Sequence, residues 1–225
     1  HHSLSCIMDS HQRFLYDASR LLVPVVRAFD QRYQRYGASP HGVFWKDAEF
    51  QRRRYEILIT IFDDADRAGG LTIHDFGCGY GAFFDFLKDR PVMHRSRYIG
   101  TEISEPLVAA ARERIDDQRT HFVRALSATE TADYTFACGT FNMHMRADEV
   151  EWLAYVKASL AQLWERSRKG LAFNMLRHDA PERFSDLYYA DAELFREFCL
   201  QEFSTNVRLT NDDPLPDWTI FVQRR

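Results

Sequence analysis

Asp75-Phe76-Gly77-Cys78-Gly79-Tyr80-Gly81 is the stretch on which the fold turns. The chain has ten glycines, and three of them fall within five residues here. The stretch follows an apolar run at 71–76 (LTIHDF) and opens a helical pattern near 82–89. Glycine is required where a backbone turns with positive φ or where a ligand must approach the main chain. A tight strand-to-helix turn without a ligand needs only one. The cluster is therefore read as a ligand-binding turn.

Beyond it the chain alternates between two periods. Strand candidates are 97–102 (RYIGTE), 120–125 (THFVRA), 133–138 (DYTFAC), 170–176 (GLAFNML), 204–210 (STNVRLT) and 218–223 (WTIFVQ). Helix candidates lie near 105–115, 147–166 and 191–202. Alternating strands and helices imply a mainly parallel sheet covered on both faces. Only Asp212-Asp213-Pro214 separates the last two strands, which predicts an antiparallel hairpin. Upstream, apolar residues at three- and four-residue steps from Phe14 to Phe29 predict a helix over 10–36, kinked or interrupted at Pro24. A second helix is expected from Asp47 to Ala68, capped by Asp47 and ended by Gly69-Gly70. The resulting division is a helical cap at 9–70 and a ligand-binding domain at 71–225. His1-His2-Ser3 reads as a tag scar, and residues 1–8 are set apart as a disordered start.

Composition narrows the class. Of 225 residues, 45% are hydrophobic and 28% charged, which is globular. A net charge of -4 argues against a pervasive nucleic-acid-binding surface. No uncharged apolar run reaches the roughly 18 residues of a membrane span. Cys6, Cys78, Cys138 and Cys199 show no C-x-x-C spacing, so neither zinc nor a disulfide framework is expected, and a reducing cytoplasm fits.

The glycines alone leave two cofactors open. Gly77, Gly79 and Ala82 satisfy a dinucleotide pattern. An acidic residue, Glu102, ends the second strand about twenty residues later and suits a ribose contact in either case. Asp75, two residues before the first glycine, favours the other choice. A carboxylate there repels a pyrophosphate but suits a ligand with an amino group and a sulfonium. The terminal hairpin, and the lack of a following dehydrogenase domain, point the same way.

Asp75 to Gly81, followed by Tyr98-Ile99-Gly100-Thr101-Glu102-Ile103-Ser104, resembles the first two motifs of class I S-adenosylmethionine-dependent methyltransferases. The resemblance implies a Rossmann-like, doubly wound, seven-stranded α/β sheet with an antiparallel last strand. It also implies S-adenosylmethionine across the strand tips and direct methyl transfer. Carried over, Gly77, Cys78, Gly79 and Gly81 line the methionine half of the cofactor and Asp75 lies beside it. Glu102 accepts the ribose hydroxyls and Ile103 packs on adenine. Leu126 stands where the family usually has an acidic or amide residue near the adenine, so backbone groups, apolar cover or Ser127 must serve. Gly42-Val43-Phe44-Trp45-Lys46, with Gln51, Arg54 and Tyr55, also looks like a segment of a bacterial subgroup whose acceptors are largely unassigned.

The remaining candidates sit where an acceptor would lie. Gly139, Asn142 and His144 follow the fourth strand, whose tip faces the ligand crevice. Asn142 is a candidate to hold an acceptor or the cofactor backbone. His144 is a candidate general base, against an ordinary loop residue. No N/D-P-P-Y pattern marks this tip, which counts against amino acceptors in nucleic acids and proteins. Trp45 either covers the ligand or staples the helix start. Arg54 lies on the apolar stripe of its helix and needs an anion, either the cofactor carboxylate or an internal acid. Tyr188 is a candidate acceptor contact, against a packing role. The expected enzyme is a cytoplasmic methyltransferase acting on a small molecule, with no nucleic-acid or membrane partner. A nucleotide-dependent oxidoreductase and an inactive methyltransferase-fold binding protein are the alternatives.

Overall fold

A computed structural model describes residues 9–225; the proposed tag scar and disordered start at 1–8 lie outside the described residues. Eight strands form one sheet: β1 (Thr72–Phe76), β2 (Arg97–Glu102), β3 (Thr120–Arg124), β4 (Ala132–Cys138), β5 (Ser167–Arg177), β6 (Tyr189–Ala190), β7 (Asn206–Asn211) and β8 (Asp217–Gln223). The path runs β3-β2-β1-β4-β5-β8-β7, with the two-residue β6 beside β5. All pairings among β1 to β6 are parallel, and β8 runs antiparallel to both β5 and β7. The strand order reverses at β1, which pairs with β2 on one side and β4 on the other. In such sheets the ligand crevice opens at the carboxyl ends of the two strands that flank this reversal.

The helices are α1 (Ser10–Tyr36), α2 (Ala48–Leu58), α3 (Ala82–Leu87), α4 (Glu105–Arg114), α5 (Glu149–Glu165) and α6 (Ala192–Glu202). Period-two alternation divides the strands between two cores. Trp218, Ile220 and Val222 join Trp152 and Leu160 of α5 and Phe195 of α6 on one face. Phe221, with Phe136 and Tyr98, packs on the other with Leu58, Phe83 and Val108. The segment before β1 is part of these cores. Leu22 and Val25 of α1 belong to the first, and Tyr55, Leu58 and Ile61 to the second.

Two helical expectations change. α1 runs unbroken through Pro24, which lies on its outer side while Leu22 and Val25 are buried beside it. Tertiary burial on both sides of the proline outweighs the lost backbone hydrogen bond. The helix expected over 47–68 stops at Leu58, and only 3₁₀ turns over Ile59–Ile61 and Asp66–Ala68 follow. The local cause is a carboxylate that captures backbone. Asp63 N–H donates to Asp66 Oδ2 (3.0 Å) and Asp66 N–H to Asp63 Oδ1 (2.8 Å). Asp66 is buried and also accepts from Tyr134 (2.5 Å) and Lys169 (3.0 Å). Side-chain bonds of this kind compete with continued helix.

Candidate active site

The glycine turn joins β1 to α3, and Gly77, Gly79 and Gly81 all have positive φ. At Gly77 the demand is also steric, because a Cβ there would stand 2.7 Å from both Thr140 Oγ1 and Cγ2. Gly79 donates its N–H to Glu102 Oε1 (3.1 Å), and Ser104 N–H donates to Oε2 (2.7 Å). The turn and the tip of β2 are thus tied through one carboxylate. A carboxylate offers about four lone-pair directions, so two remain for a ligand. Burial pushes the Glu102 carboxyl above its ordinary range, against the pull of these backbone donors. Asp75 is buried too, and its acid is raised to about 7, first by burial. The Tyr98 hydroxyl donates to it, which opposes the rise, while the Glu102 charge adds to it. Neither acid has an ion-pair partner among the described residues. Two buried acids around a glycine turn suit a ligand with hydroxyl and ammonium groups and oppose a pyrophosphate.

A cavity of about 420 Å³ extends from this turn beneath the N-terminal helices. Asp75, Gly77, Cys78, Gly79, Glu102 and Ile103 line it at one end. Trp45, Arg54, Gly139 and Asn142 line it further along. Leu22, Val25 and Phe29 of α1 close it over, so the segment before β1 forms part of its wall. Asn142 is held in one orientation. Its Oδ1 accepts from Leu176 N–H (3.2 Å), which leaves Nδ2 as a donor beside Gly139.

Four candidate residues stand elsewhere than expected. The His144 ring does not line the cavity; it packs on Trp152 and Tyr188, with Nδ1 3.2 Å from Asp186 O and Nε2 3.5 Å from Glu149. The backbone after β4 turns through Met145 and Arg146 at positive φ, and the imidazole falls into the α5 layer. Tyr188 is likewise buried in that layer and contributes its N–H to Asn142 O (2.7 Å). Gly81 is a packing glycine, since a Cβ would strike Ile115 and come within 3.3 Å of Phe122. Leu126 packs on the apolar core with Ile103, while its neighbour Ala125 reaches the cavity wall.

Arg54 lines the cavity, but its anion is internal. Nε and Nη2 grip Asp217 at 2.6 and 2.9 Å, and the guanidinium lies 4.3 Å from the Trp45 ring. The Asp217 partner was not legible from sequence, being the first residue of β8 and remote in the chain. Gln51 and Tyr55, noted in sequence only as part of the subgroup-like segment, also line the cavity, as do Tyr80 and Cys138, for which the sequence suggested no role. A usable signal existed. Gln51, Arg54, Tyr55 and Leu58 follow the i, i+3, i+4, i+7 spacing of one buried face, and three of the four carry polar atoms.

A family profile described as Methyltransferase domain matches residues 74–163. The Synechocystis PCC 6803 magnesium protoporphyrin IX methyltransferase, solved with bound SAM, superposes with a TM-score of 0.64 at 15% identity. The match covers 93% of this chain and 97% of that one. The same enzyme with bound SAH gives 0.66 at 14% identity, covering 93% and 100%. At such identity these two show the fold. A Mycobacterium tuberculosis (strain ATCC 25618 / H37Rv) protein, Rv1506c, provisionally named a methyltransferase, is 36% identical over 160 residues, 70% of this chain and 95% of its own length. Neither the oxidoreductase reading nor a mere binding protein is favoured by these relationships. With the paired acids, the glycine turn and the reversed strand order, they establish that the chain belongs to the methyltransferase family, with the class I fold that uses S-adenosylmethionine.

Proposed function

We propose that this methyltransferase acts in the cytoplasm on a small, largely apolar molecule, without a nucleic-acid or membrane partner. The observation that carries the proposal is the roofed cavity. It is continuous from Glu102 to Pro214 and Pro216 and is walled by Trp45, Phe50, Leu176 and Leu187. Its size fits the pockets of about 300–1,000 Å³ that hold small ligands. No helix among the described residues is long and apolar enough to cross a membrane.

Bound S-adenosylmethionine would supply a methyl group whose leaving group is the neutral thioether of S-adenosylhomocysteine. The chain's residues supply position and dryness. Glu102 is suited to the ribose hydroxyls through its two open lone-pair directions, and Ile103 and Ala125 to the adenine face. Asp75 is suited to the ammonium group, which would draw its acid back to the ionised form. Gly77 and Gly79 let backbone stand where a side chain would block approach. Asn142 Nδ2 offers one donor at the tip of β4. Alignment and exclusion of water are the main catalytic contributions available to such a site. Among the described residues lining the cavity there is no histidine.

The test is transfer from methyl-labelled S-adenosylmethionine in a cell extract. Label is expected in the dialysable fraction. Label confined to protein or nucleic acid overturns the small-molecule reading.

A further inference from the structure

An anion inside a protein needs a donor or a cation. S-adenosylmethionine carries a carboxylate at its amino-acid end, and Arg54 is the cation that sequence offers for it. That guanidinium is committed. Two of its nitrogens hold both oxygens of Asp217, itself fully buried, and the third leans on Phe50 O at 3.4 Å. A second carboxylate there would place two anions on one cation. The other cation on the wall, Lys46, is exposed, with Nζ 4.9 Å from the Phe50 ring.

Tyr55 stands next to Arg54 on the same helix face and also lines the cavity. The residue is only 7% exposed. Its ring is clamped, 4.9 Å from Phe83 and 5.6 Å from Phe86 between centroids. Its hydroxyl makes no side-chain hydrogen bond among the described residues, and it is not one of the sealed unpartnered atoms, which are His74 Nδ1 and Ser159 Oγ; it keeps access to the cavity that the residue lines. The titratable groups near it are Cys138 at the end of β4, Asp75 of β1, Tyr80 and Asp85. Tyr55 lines the same cavity as Asp75, Cys138 and Gly139, at the reversal point of the sheet. Burial, with those neighbours, holds its proton firmly, so it is a donor at any physiological pH. Gln51, one turn earlier and also buried, brings an amide to the same wall.

We propose that the Tyr55 hydroxyl is the donor that takes the carboxylate at the amino-acid end of the cofactor, opposite Asp75, which takes the ammonium. This rests on the S-adenosylmethionine site described above. The tail is then recognised as a zwitterion by an acid from the sheet and a neutral phenol from the segment before β1. Tyr55 is a positioning and binding residue; no bond is made or broken at it. Arg54 instead serves to hold α2 against β8, so that the phenol is presented.

Two ligands separate this from a structural role. S-adenosylhomocysteine has the amino-acid tail, and 5′-methylthioadenosine has the nucleoside and sulfur without it. Tyr55→Phe keeps the ring and its packing. Calorimetry on the full chain should show wild-type protein binding both ligands, the homocysteine compound more tightly. In Tyr55→Phe, affinity for S-adenosylhomocysteine should fall roughly ten- to hundredfold while that for methylthioadenosine stays unchanged. Equal losses for both ligands, or no loss for either, overturn the assignment of Tyr55. Transfer of the tail preference to Arg54 also overturns it. That would appear as equal affinity for the two ligands in an Arg54→Met, Asp217→Leu double variant as stable as wild type, in which the apolar pair still holds α2 against β8. Failure of wild-type protein to bind either ligand is a different result, and sinks the cofactor site itself.

Discussion

Around Glu102 the cavity wall is set by two short segments with glycine backbone between their side chains; around Arg54 it is assembled from side chains remote in sequence. The first end needs two short segments, 75–81 and 102–104, held by N–H groups of Gly79 and Ser104 on one carboxylate. The second end gathers Trp45, Arg54, Asn142, Leu176, Pro216 and Asp217 from both halves of the chain. Backbone approach demands glycine and positive φ, which leave a mark in the sequence. Side-chain assembly across a sheet leaves no local mark, because each member is an ordinary residue in its own segment. The contrast also divides the energetics. One end has acids with no ion-pair partner among the described residues, and the other has an acid held by a cation.

That contrast can be broken first at the satisfied end. Asp217→Ala should lower the unfolding free energy by about 3–5 kcal/mol in urea titration, because it strands a buried guanidinium. Arg54→Met with Asp217→Leu should recover most of the loss, since a well-packed apolar pair avoids the desolvation of both ions. A double variant as unstable as the single one would show that the pair's geometry, and not the stranded charge, matters.

At the other end Glu102→Ala should weaken S-adenosylhomocysteine binding by about 1.5–3 kcal/mol by calorimetry, the range for hydrogen bonds to a charged group. The variant also loses the acceptor of Gly79 and Ser104 N–H, so the glycine turn should exchange its amides faster. Unchanged affinity would remove Glu102 from the cofactor site.

Asp75 sharpens the comparison through pH. Its folded-state acid is raised to about 7 by burial, so the folded protein holds this proton more tightly than the unfolded chain, whose aspartates titrate near 4. This group's contribution to ligand-free stability is therefore greatest below pH about 4 and declines as pH rises toward about 7. An ammonium ligand favours the ionised acid. Affinity for S-adenosylhomocysteine should thus fall below pH 7, by up to about 1.4 kcal/mol per unit, whereas 5′-methylthioadenosine should show no such slope. Parallel slopes for both ligands would separate Asp75 from the ammonium.

The smallest effect is expected at His144. Because its ring packs in the α5 layer, His144→Gln should leave cofactor affinity and the pH dependence of transfer unchanged. A lost acid-side limb in the rate profile would restore it as a base.

The sheet was legible nearly strand by strand, since both faces are buried and apolar runs mark each crossing. Two-residue β6 was not, because so short a pairing has no period. The glycine turn, Asp75 and Glu102 were legible because their chemistry is local. His144 and Tyr188 were misjudged for one reason. A strand tip says that the next residues are near the crevice, but the turn after β4 decides which of them face it. Asn142 faces it, and His144, two residues on, does not.

Gly139 carries a consequence for how this family can drift. It has positive φ, and a Cβ there would overlap the Trp45 indole, which fills the space that a side chain at 139 would take. The two positions share one volume although they come from opposite sides of the glycine turn. A homologue that enlarges position 139 must therefore shrink position 45, and one that keeps tryptophan at 45 is bound to glycine at 139. Paired variation at these two sites would record a reshaped cavity wall, and the positive φ at 139 adds a backbone cost to any side chain there even where position 45 is small.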